Sequence, residues 1–291
     1  MSGDSGNTNA QTPSGSTKNQ LRILLAQTNT SDRHAHNIAA LKVLVEQAAT
    51  QGCHMLCLPE ASGLMNQDVC TASGMITEEH IDPYVAACKE LAAEHGVWIH
   101  NGSTPVMGSA GLPVNRTHLI NAMGDIVARY DKIHLFDVYL PDGRERLESK
   151  RYSAGRQLVV AKTPWGPMGL SICYDLRFPQ LYREYAQAGA RVVFVPSAFT
   201  RKTGQAHWEV LLRARAIENA CFVIAPAQTG EHADGRKTYG HSLLIHPWGN
   251  VLADLGETIQ AQVLEIDLSD ADNVRQQIPS LSHGQDYERV I

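Results

Sequence analysis

The sequence predicts a mixed-sheet α/β protein whose sheets are covered by helices. Three observations carry that prediction. Short apolar runs of strand length alternate with stretches whose apolar residues recur on one helical face. A hairpin signature interrupts the alternation, so antiparallel pairing enters an otherwise parallel plan. Finally, 43% of the 291 residues are apolar, enough to bury the core that a layered α/β architecture needs.

Residues 2–20 are almost all Ser, Gly, Thr, Asn and Gln. Such a stretch cannot bury enough apolar surface to offset the cost of ordering, which predicts a disordered tail over 1–20 and one domain over 21–291. The domain opens with a strand at 21–26. A helix follows in which Ile38, Leu41, Val45 and Ala48 share a face and which Gly52 stops. A second strand, 54–58, ends at Pro59-Glu60. The next helix presents Ile81, Tyr84, Val85, Cys88 and Leu91, stops at Gly96 and gives way to a strand at 97–100. Strand-like stretches flanking Asn121-Ala122-Met123-Gly124-Asp125 predict a hairpin over 116–130. Beyond a polar loop come a strand at 168–172, helices at 179–188 and 207–219 around a strand at 192–195, and strands at 221–225, 242–246 and 262–266.

Composition excludes several classes of function. With 25 basic and 30 acidic residues the net charge is -5, and no basic stripe exists to displace counterions from phosphates, so nucleic acid is not a partner. No apolar run reaches about 18 residues and no secretory signal opens the chain, which predicts a cytoplasmic protein with no membrane span. Six scattered cysteines (Cys53, Cys57, Cys70, Cys88, Cys173, Cys221) then read as reduced thiols. Cys53-His54 with Cys57 is half a zinc site without its other half, so no metal is expected. The sequons at Asn29, Asn101 and Asn115 carry no glycan in such a compartment.

In α/β sheets reactive groups sit just beyond the carboxyl ends of strands, and three residues stand at such exits: Glu60, Lys132 and Cys173. Taken singly, a loop Glu or Lys is a solvated charge and a Cys beside Ile is a small buried hydrophobe. Together they supply the parts of nucleophilic catalysis, because a thiol needs a base and the anion formed on attack needs a cationic partner. No Gly-x-Ser-x-Gly, His-Glu-x-x-His, phosphate-loop or dinucleotide-binding motif competes. His134, His207 and His241 read as structural or supporting residues.

The segments Leu58-Pro59-Glu60, Asp131-Lys132-Ile133-His134-Leu135-Phe136-Asp137 and Gly169-Leu170-Ser171-Ile172-Cys173-Tyr174-Asp175-Leu176-Arg177-Phe178-Pro179 resemble the three catalytic motifs of the nitrilase superfamily of carbon-nitrogen hydrolases. The resemblance runs from Leu21 to about Tyr287. It continues through Pro196-Ser197-Ala198-Phe199, Thr203-Gly204-Gln205-Ala206-His207-Trp208-Glu209, Arg213-Ala214-Arg215-Ala216-Ile217-Glu218 and Tyr239-Gly240-His241-Ser242. Within the superfamily the chain is similar to the Nit branch, and its Ser-Ala-Phe and Arg-Phe-Pro variants resemble the deaminated glutathione amidases more than the ω-amidases. Ser153-Ala154-Gly155 departs from the family's residue-Pro-Gly, and Tyr139 stands where an acidic residue is common.

The resemblance implies a four-layer α-β-β-α sandwich that forms a homodimer through a helical face. It implies a Glu60, Lys132 and Cys173 triad, with Glu148 (or Glu145) as a second glutamate that orients Lys132. Cys173 would attack a carboxamide, its thiolate favoured by Lys132. Glu60 would move protons in both half-reactions, and Lys132 with the Tyr174 backbone N–H would hold the oxyanion, giving a carboxylate and ammonia through a thioester. Arg177 is expected to bind a substrate carboxylate or else to brace a strand-to-helix turn. Phe199 and Thr203 fall on the family's substrate wall, although Phe199 reads nearly as well as core. The substrate is expected to be a 2-oxo acid amide such as deaminated glutathione, with no cofactor. Other readings are an ω-amidase on α-ketoglutaramate, a carbamoylase or nitrilase, and a non-catalytic scaffold of the same fold.

Overall fold

A computed structural model describes residues 19–66, 72, 74–109, 111–139 and 145–290. The predicted tail lies outside them except for Asn19 and Gln20, and Cys70 is outside as well. Asn19 and Gln20 are ordered, because the Asn19 carbonyl accepts from Leu268 N–H at 2.8 Å and Gln20 Nε2 donates to Asp267 at 2.7 Å.

In chain order the strands of the first half are β1 (Gln20–Gln27), β2 (Met55–Cys57), β3 (Trp98–His100), β4 (Thr104–Met107), β5 (Pro113–Ile120), β6 (Ile126–Asp131), β7 (Asp137–Tyr139) and β8 (Glu145–Leu147). Those of the second are β9 (Val160–Thr163), β10 (Gly166–Leu170), β11 (Val192–Phe194), β12 (Phe222–Ala225), β13 (Thr229–Glu231), β14 (Lys237–Tyr239), β15 (Leu243–Ile245), β16 (Val251–Asp254) and β17 (Gln260–Asp267). Helices α1 (His34–Thr50), α2 (Pro83–His95), α3 (Pro179–Gln187), α4 (Arg201–Asn219) and α5 (Ser269–Gln277) lie between or after them.

Two mixed sheets result. One runs β17-β1-β2-β3-β5-β4 with β6 on β5, the other β16-β15-β12-β11-β10-β9. Alternation along β1 shows how they stack. Leu21, Ile23 and Leu25 join a core shared with Leu170, Val192, Phe194 and Ile224 of the second sheet, whereas Leu24 and Ala26 face Leu41 and Val45 of α1 and Tyr84 and Cys88 of α2. His100 stacks on Phe194 across the join, ring centroids 4.3 Å apart. Tyr182 and Tyr185 of α3 and Trp208, Leu212 and Ala216 of α4 cover the second sheet. The architecture is therefore the four-layer α-β-β-α sandwich.

Most elements fall where periodicity places them, and the exceptions have local causes. Helix α2 starts at Pro83, its Asp82 cap accepting from Val85 N–H at 2.8 Å, so Ile81 lies outside the helical face in a 3₁₀ turn and is 61% exposed. Helix α4 begins at Arg201, six residues before the expected start. Its first turns are polar and contain Gly204, where a Cβ would stand 2.4 Å from the Tyr239 ring. Close packing needs the glycine there, and its weak helix propensity hides the helix from sequence.

Candidate active site

Glu60 follows β2, Lys132 follows β6 and Cys173 follows β10. The first two belong to one sheet and the third to the other, so the site straddles the join between sheets. The Glu60 segment is seated by Leu58 N–H on the His100 carbonyl at 3.0 Å and by Gln228 Nε2 on the Glu60 carbonyl at 2.9 Å. Gly102 (φ +68°) lies so close beneath it that a Cβ would stand 1.7 Å from the Pro59 carbonyl oxygen. Lys132 N–H donates to the Asn115 carbonyl at 2.9 Å, and the Lys132 carbonyl accepts from Gly155 N–H at 2.8 Å. Cys173 holds a left-handed backbone (φ +51°), pinned by its N–H on the Pro196 carbonyl at 3.0 Å. Strain of this kind, about 1–3 kcal/mol for a residue with a side chain, concentrates at functional positions.

The three side chains meet at the floor of a cavity of about 290 Å³ and are 6%, 2% and 8% exposed respectively. Lys132 Nζ donates to Glu60 Oε1 at 2.9 Å and to Glu148 at 2.9 and 3.1 Å. Glu60 also accepts from Asn115 Nδ2 at 3.0 Å and from Ala198 N–H at 2.9 Å, and the Cys173 thiol is within its hydrogen-bonding reach. Burial pushes the Glu60 carboxyl up, but the Lys132 charge and the hydrogen bonds from Cys173 and Lys132 together hold it below the ordinary carboxylate range. Burial opposes the Lys132 ammonium, yet the charges of Glu148 and Glu60 raise its pKa well above the usual lysine value. The thiol of Cys173 is raised well above its usual value, by burial first and the Glu60 charge second, with Lys132 opposing. A resting thiolate stabilised by Lys132 is thus not what this geometry favours, since the ammonium is shared by two carboxylates. The thiol is poised to lose its proton to Glu60 as it attacks.

Glu148 accepts from Phe136 N–H at 2.7 Å as well as from Lys132, while Glu145 is exposed at the cavity rim. Tyr174, Phe199 and Thr203 line the cavity. Phe199 is also a core residue, packing on Trp208 with centroids 4.8 Å apart. Arg177 is not among the lining residues. Its Nη2 lies 3.1 Å from His207 Nδ1 and its guanidinium rests near the Tyr174 and Phe199 rings. Tyr139 is 74% exposed and away from the cavity. Cavity-lining residues that sequence reasoning missed include Asn115, Arg151, Tyr152 and Arg236. The five described cysteines are buried and unbridged, and no group of three or more His, Cys, Asp or Glu among the described residues is arranged to hold a metal.

Asp175 was also missed. Its fully buried carboxylate accepts from Tyr130 OH at 2.7 Å, Ile172 N–H at 2.8 Å and His134 N–H at 3.0 Å, with His134 Nδ1 at 2.7 Å. One side chain therefore ties the strand leading to Lys132 to the turn that carries Cys173. Asp175→Asn presents N–H where a backbone N–H already donates, so kcat is expected to fall about 10-fold or more while KM changes little, consistent with about 1–3 kcal/mol for an unsatisfied buried donor. Steady-state kinetics on folded variant checks this, and an unaltered kcat refutes it.

The sequence pattern of the family described as carbon-nitrogen hydrolase matches residues 20–276. The chain belongs to the carbon-nitrogen hydrolases. This carbon-nitrogen hydrolase is 43% identical over 256 residues to the deaminated glutathione amidase of Synechocystis sp., covering 85% of this chain and 92% of that protein. It is 38% identical to the deaminated glutathione amidase of Dictyostelium discoideum, over 90% and 93% of the two chains. Among solved structures, the NitFhit protein of C. elegans superposes with a TM-score of 0.84 at 37% identity, covering 92% of this chain and 65% of that longer one. Like other carbon-nitrogen hydrolases, the enzyme acts on amides, and no helix among its described residues is long and apolar enough to cross a membrane.

Proposed function

We propose that this enzyme is a cysteine amidase that cleaves the amide of a 2-oxo acid, with deaminated glutathione as its substrate. The observation that carries the reading is one carboxylate, Glu60, hydrogen-bonded to a buried ammonium at 2.9 Å and facing a buried thiol across the same cavity floor. Cys173 Sγ attacks the carbonyl carbon while Glu60 takes the thiol proton. Lys132 and the Tyr174 N–H hold the oxyanion; one such donor is worth about 2.7–4 kcal/mol of barrier. Glu60 then passes its proton to the leaving nitrogen, the C–N bond breaks and a thioester remains. A water molecule, deprotonated by Glu60, attacks the thioester and releases the carboxylate and the thiol. Glu148 orients Lys132 throughout.

For a primary amide the departing group is ammonia. Deaminated glutathione is joined through its γ-glutamyl amide, so there the leaving group is the amine of cysteinylglycine, protonated in the same way. Names of relatives at 43% and 38% identity support this substrate. Unbridged buried cysteines support a cytoplasmic location. Exposed Val210 and Ile217 on α4, with Ile217 packed against Gly249 next to the exposed Trp248, support a homodimer formed through that helical face. The test is kinetic: deaminated glutathione is expected to give 2-oxoglutarate and cysteinylglycine with a higher kcat/KM than α-ketoglutaramate gives 2-oxoglutarate and ammonia. The reverse order makes the protein an ω-amidase.

A further inference from the structure

We propose that Asn115 is a positioning residue for proton transfer: with Lys132 it occupies Oε1 of Glu60, so that Oε2 alone carries the proton between thiol, departing nitrogen and water. The proposal rests on the amidase reading above and adds to it which oxygen of the acid moves the proton and what holds that oxygen in place.

The two oxygens of Glu60 have different surroundings. Oε1 accepts from Lys132 Nζ at 2.9 Å and from Asn115 Nδ2 at 3.0 Å, which fills both of its lone-pair directions. Oε2 accepts from Ala198 N–H at 2.9 Å and keeps its other direction for a reacting group. The Ala198 N–H also lies within hydrogen-bonding reach of the Cys173 sulfur, which sets Oε2 on the thiol's side of the carboxylate. A proton on Oε1 would point at the ammonium or the amide N–H and displace one of them, whereas a proton on Oε2 leaves both donors in place. The thiol proton therefore passes to Oε2 as the S–C bond forms and goes on to nitrogen as the C–N bond breaks. Water then gives Oε2 a proton as its oxygen attacks the thioester, and that proton returns to sulfur as the C–S bond breaks.

Asn115 is held for this contact. In β5 the next residue, Arg116, stands opposite Asp131 of β6, and its guanidinium grips that carboxylate at 2.6 and 2.9 Å and reaches Glu79 at 3.1 Å. The Asn115 carbonyl takes the Lys132 N–H at 2.9 Å, so the residue that gives Glu60 an amide also seats the residue that gives it an ammonium. The Asn115 side chain makes one hydrogen bond among the described residues, the one to Glu60, and its Oδ1 is buried without a partner there. An ionised carboxylate only accepts, so the amide nitrogen and not the oxygen must face it. A buried acceptor left without a partner is destabilising, and at a native position it calls for a functional reason. Holding Oε1 is that reason. The other groups acting on Glu60 are Lys132, the Cys173 thiol, the Ala198 N–H and the Arg236 charge, with Glu148 across the ammonium, and all of them remain when Asn115 is changed.

The experiment measures kcat/KM against pH for the full-length wild type, Asn115→Leu and Asn115→Asp, on the better of the two amides named above. Leucine keeps the volume and loses the donor. Its acid limb is expected to move up by about one pH unit, because a hydrogen bond to the ionised form is gone. At neutral pH its kcat is expected to fall about 10-fold or more while KM stays within about 3-fold. Aspartate keeps the shape but sets a second carboxylate against Oε1, and it is expected to move the limb further than leucine does. A residue that only fills space would tolerate aspartate at least as well as leucine. A limb that stays at the wild-type position in both variants overturns the proposal, even where kcat falls. Alkylation of Cys173 by iodoacetamide, followed by intact mass, reports the same limb without an amide and is expected to shift with it. If the wild type hydrolyses no amide, the amidase reading fails, while the alkylation limb still decides for or against Asn115. If Asn115→Leu does not fold, Asn115→Asp, matched in size, is judged by the same two limbs.

Discussion

Replacing Cys173 by alanine is expected to cut amide turnover by at least about 10⁴-fold, since losing a nucleophile costs as much as losing a whole catalytic unit. The change removes one sulfur and keeps the Cβ of a residue whose own backbone is left-handed (φ +51°), so the strain is unchanged and the variant should remain folded. Intact mass after brief incubation with substrate should show an acyl adduct on wild type and none on Cys173→Ala. Persistent turnover in the variant would remove Cys173 from the mechanism, and an inert wild type would favour a scaffold of the same fold. The pH profile has a definite sign. Activity requires Glu60 ionised, and its pKa lies below the ordinary carboxylate range, so kcat/KM should stay level as pH falls from neutrality to about 5 and decline only at more acidic pH. If the resting enzyme instead needed a preformed thiolate, the rate would climb steadily toward alkaline pH, because the Cys173 thiol is raised.

Lys132→Met should be comparably severe for a different reason. It deletes an oxyanion donor worth about 2.7–4 kcal/mol, a loss of about 10²–10³-fold in kcat. It also strips the counter-ion from two carboxylates, Glu60 and Glu148, whose side chains are 8% and 15% exposed. Breaking a buried pair from one side typically costs about 3–5 kcal/mol of stability. Linkage then reverses. In the wild type the depressed Glu60 pKa contributes stability above the unfolded carboxylate value that is lost as pH falls through the folded one. Without Lys132, burial is opposed only by the remaining hydrogen bonds and the Arg236 charge, so the Glu60 pKa rises relative to wild type and the variant should gain stability relative to wild type as pH is lowered from 7 to 5. Urea denaturation at both pH values measures this, and a variant as stable as wild type at pH 7 with no such gain would show that the ammonium is not the counter-ion the geometry describes.

The positions of Glu60 and Cys173 were legible because each ends an apolar run, as a buried strand does along the chain, and that of Lys132 because it ends the alternating second strand of a hairpin. Among the described residues, helices α1 to α4 and strands β1, β2, β3, β5, β6, β10, β11, β12, β15 and β17 were readable from the same periodicities, whereas β4, β7, β8, β9, β13, β14, β16 and α5 were not. Other parts of the site were not. Asn115 sits in the interior of β5, where an asparagine reads as a solvent-facing residue or a sequon, and only the fold turns its amide toward Glu60 at 3.0 Å. Asp175 gives no signal that its four hydrogen-bonding partners come from β6, the loop after it and the turn before Cys173. Arg151 and Arg236 lie in turns without periodicity. Arg177, four residues past Cys173 in a 3₁₀ turn, sets its guanidinium 5.8 Å from the centroids of the Tyr174 and Phe199 rings, which line the cavity, with Nη2 3.1 Å from His207 Nδ1.

Because acid and amine hang from one leaf of the sandwich and sulfur from the other, neither leaf alone possesses hydrolytic power. The leaf holding Glu60 and Lys132 is itself completed by pairing of β1 with β17 along eight residues, Gln20 opposite Asp267 through Gln27 opposite Gln260. Synthesis must therefore pass Asp267 before β17 can pair with β1. Until then the emerging thiol lacks the acid and the amine it needs, so amide hydrolysis begins only once both leaves are complete.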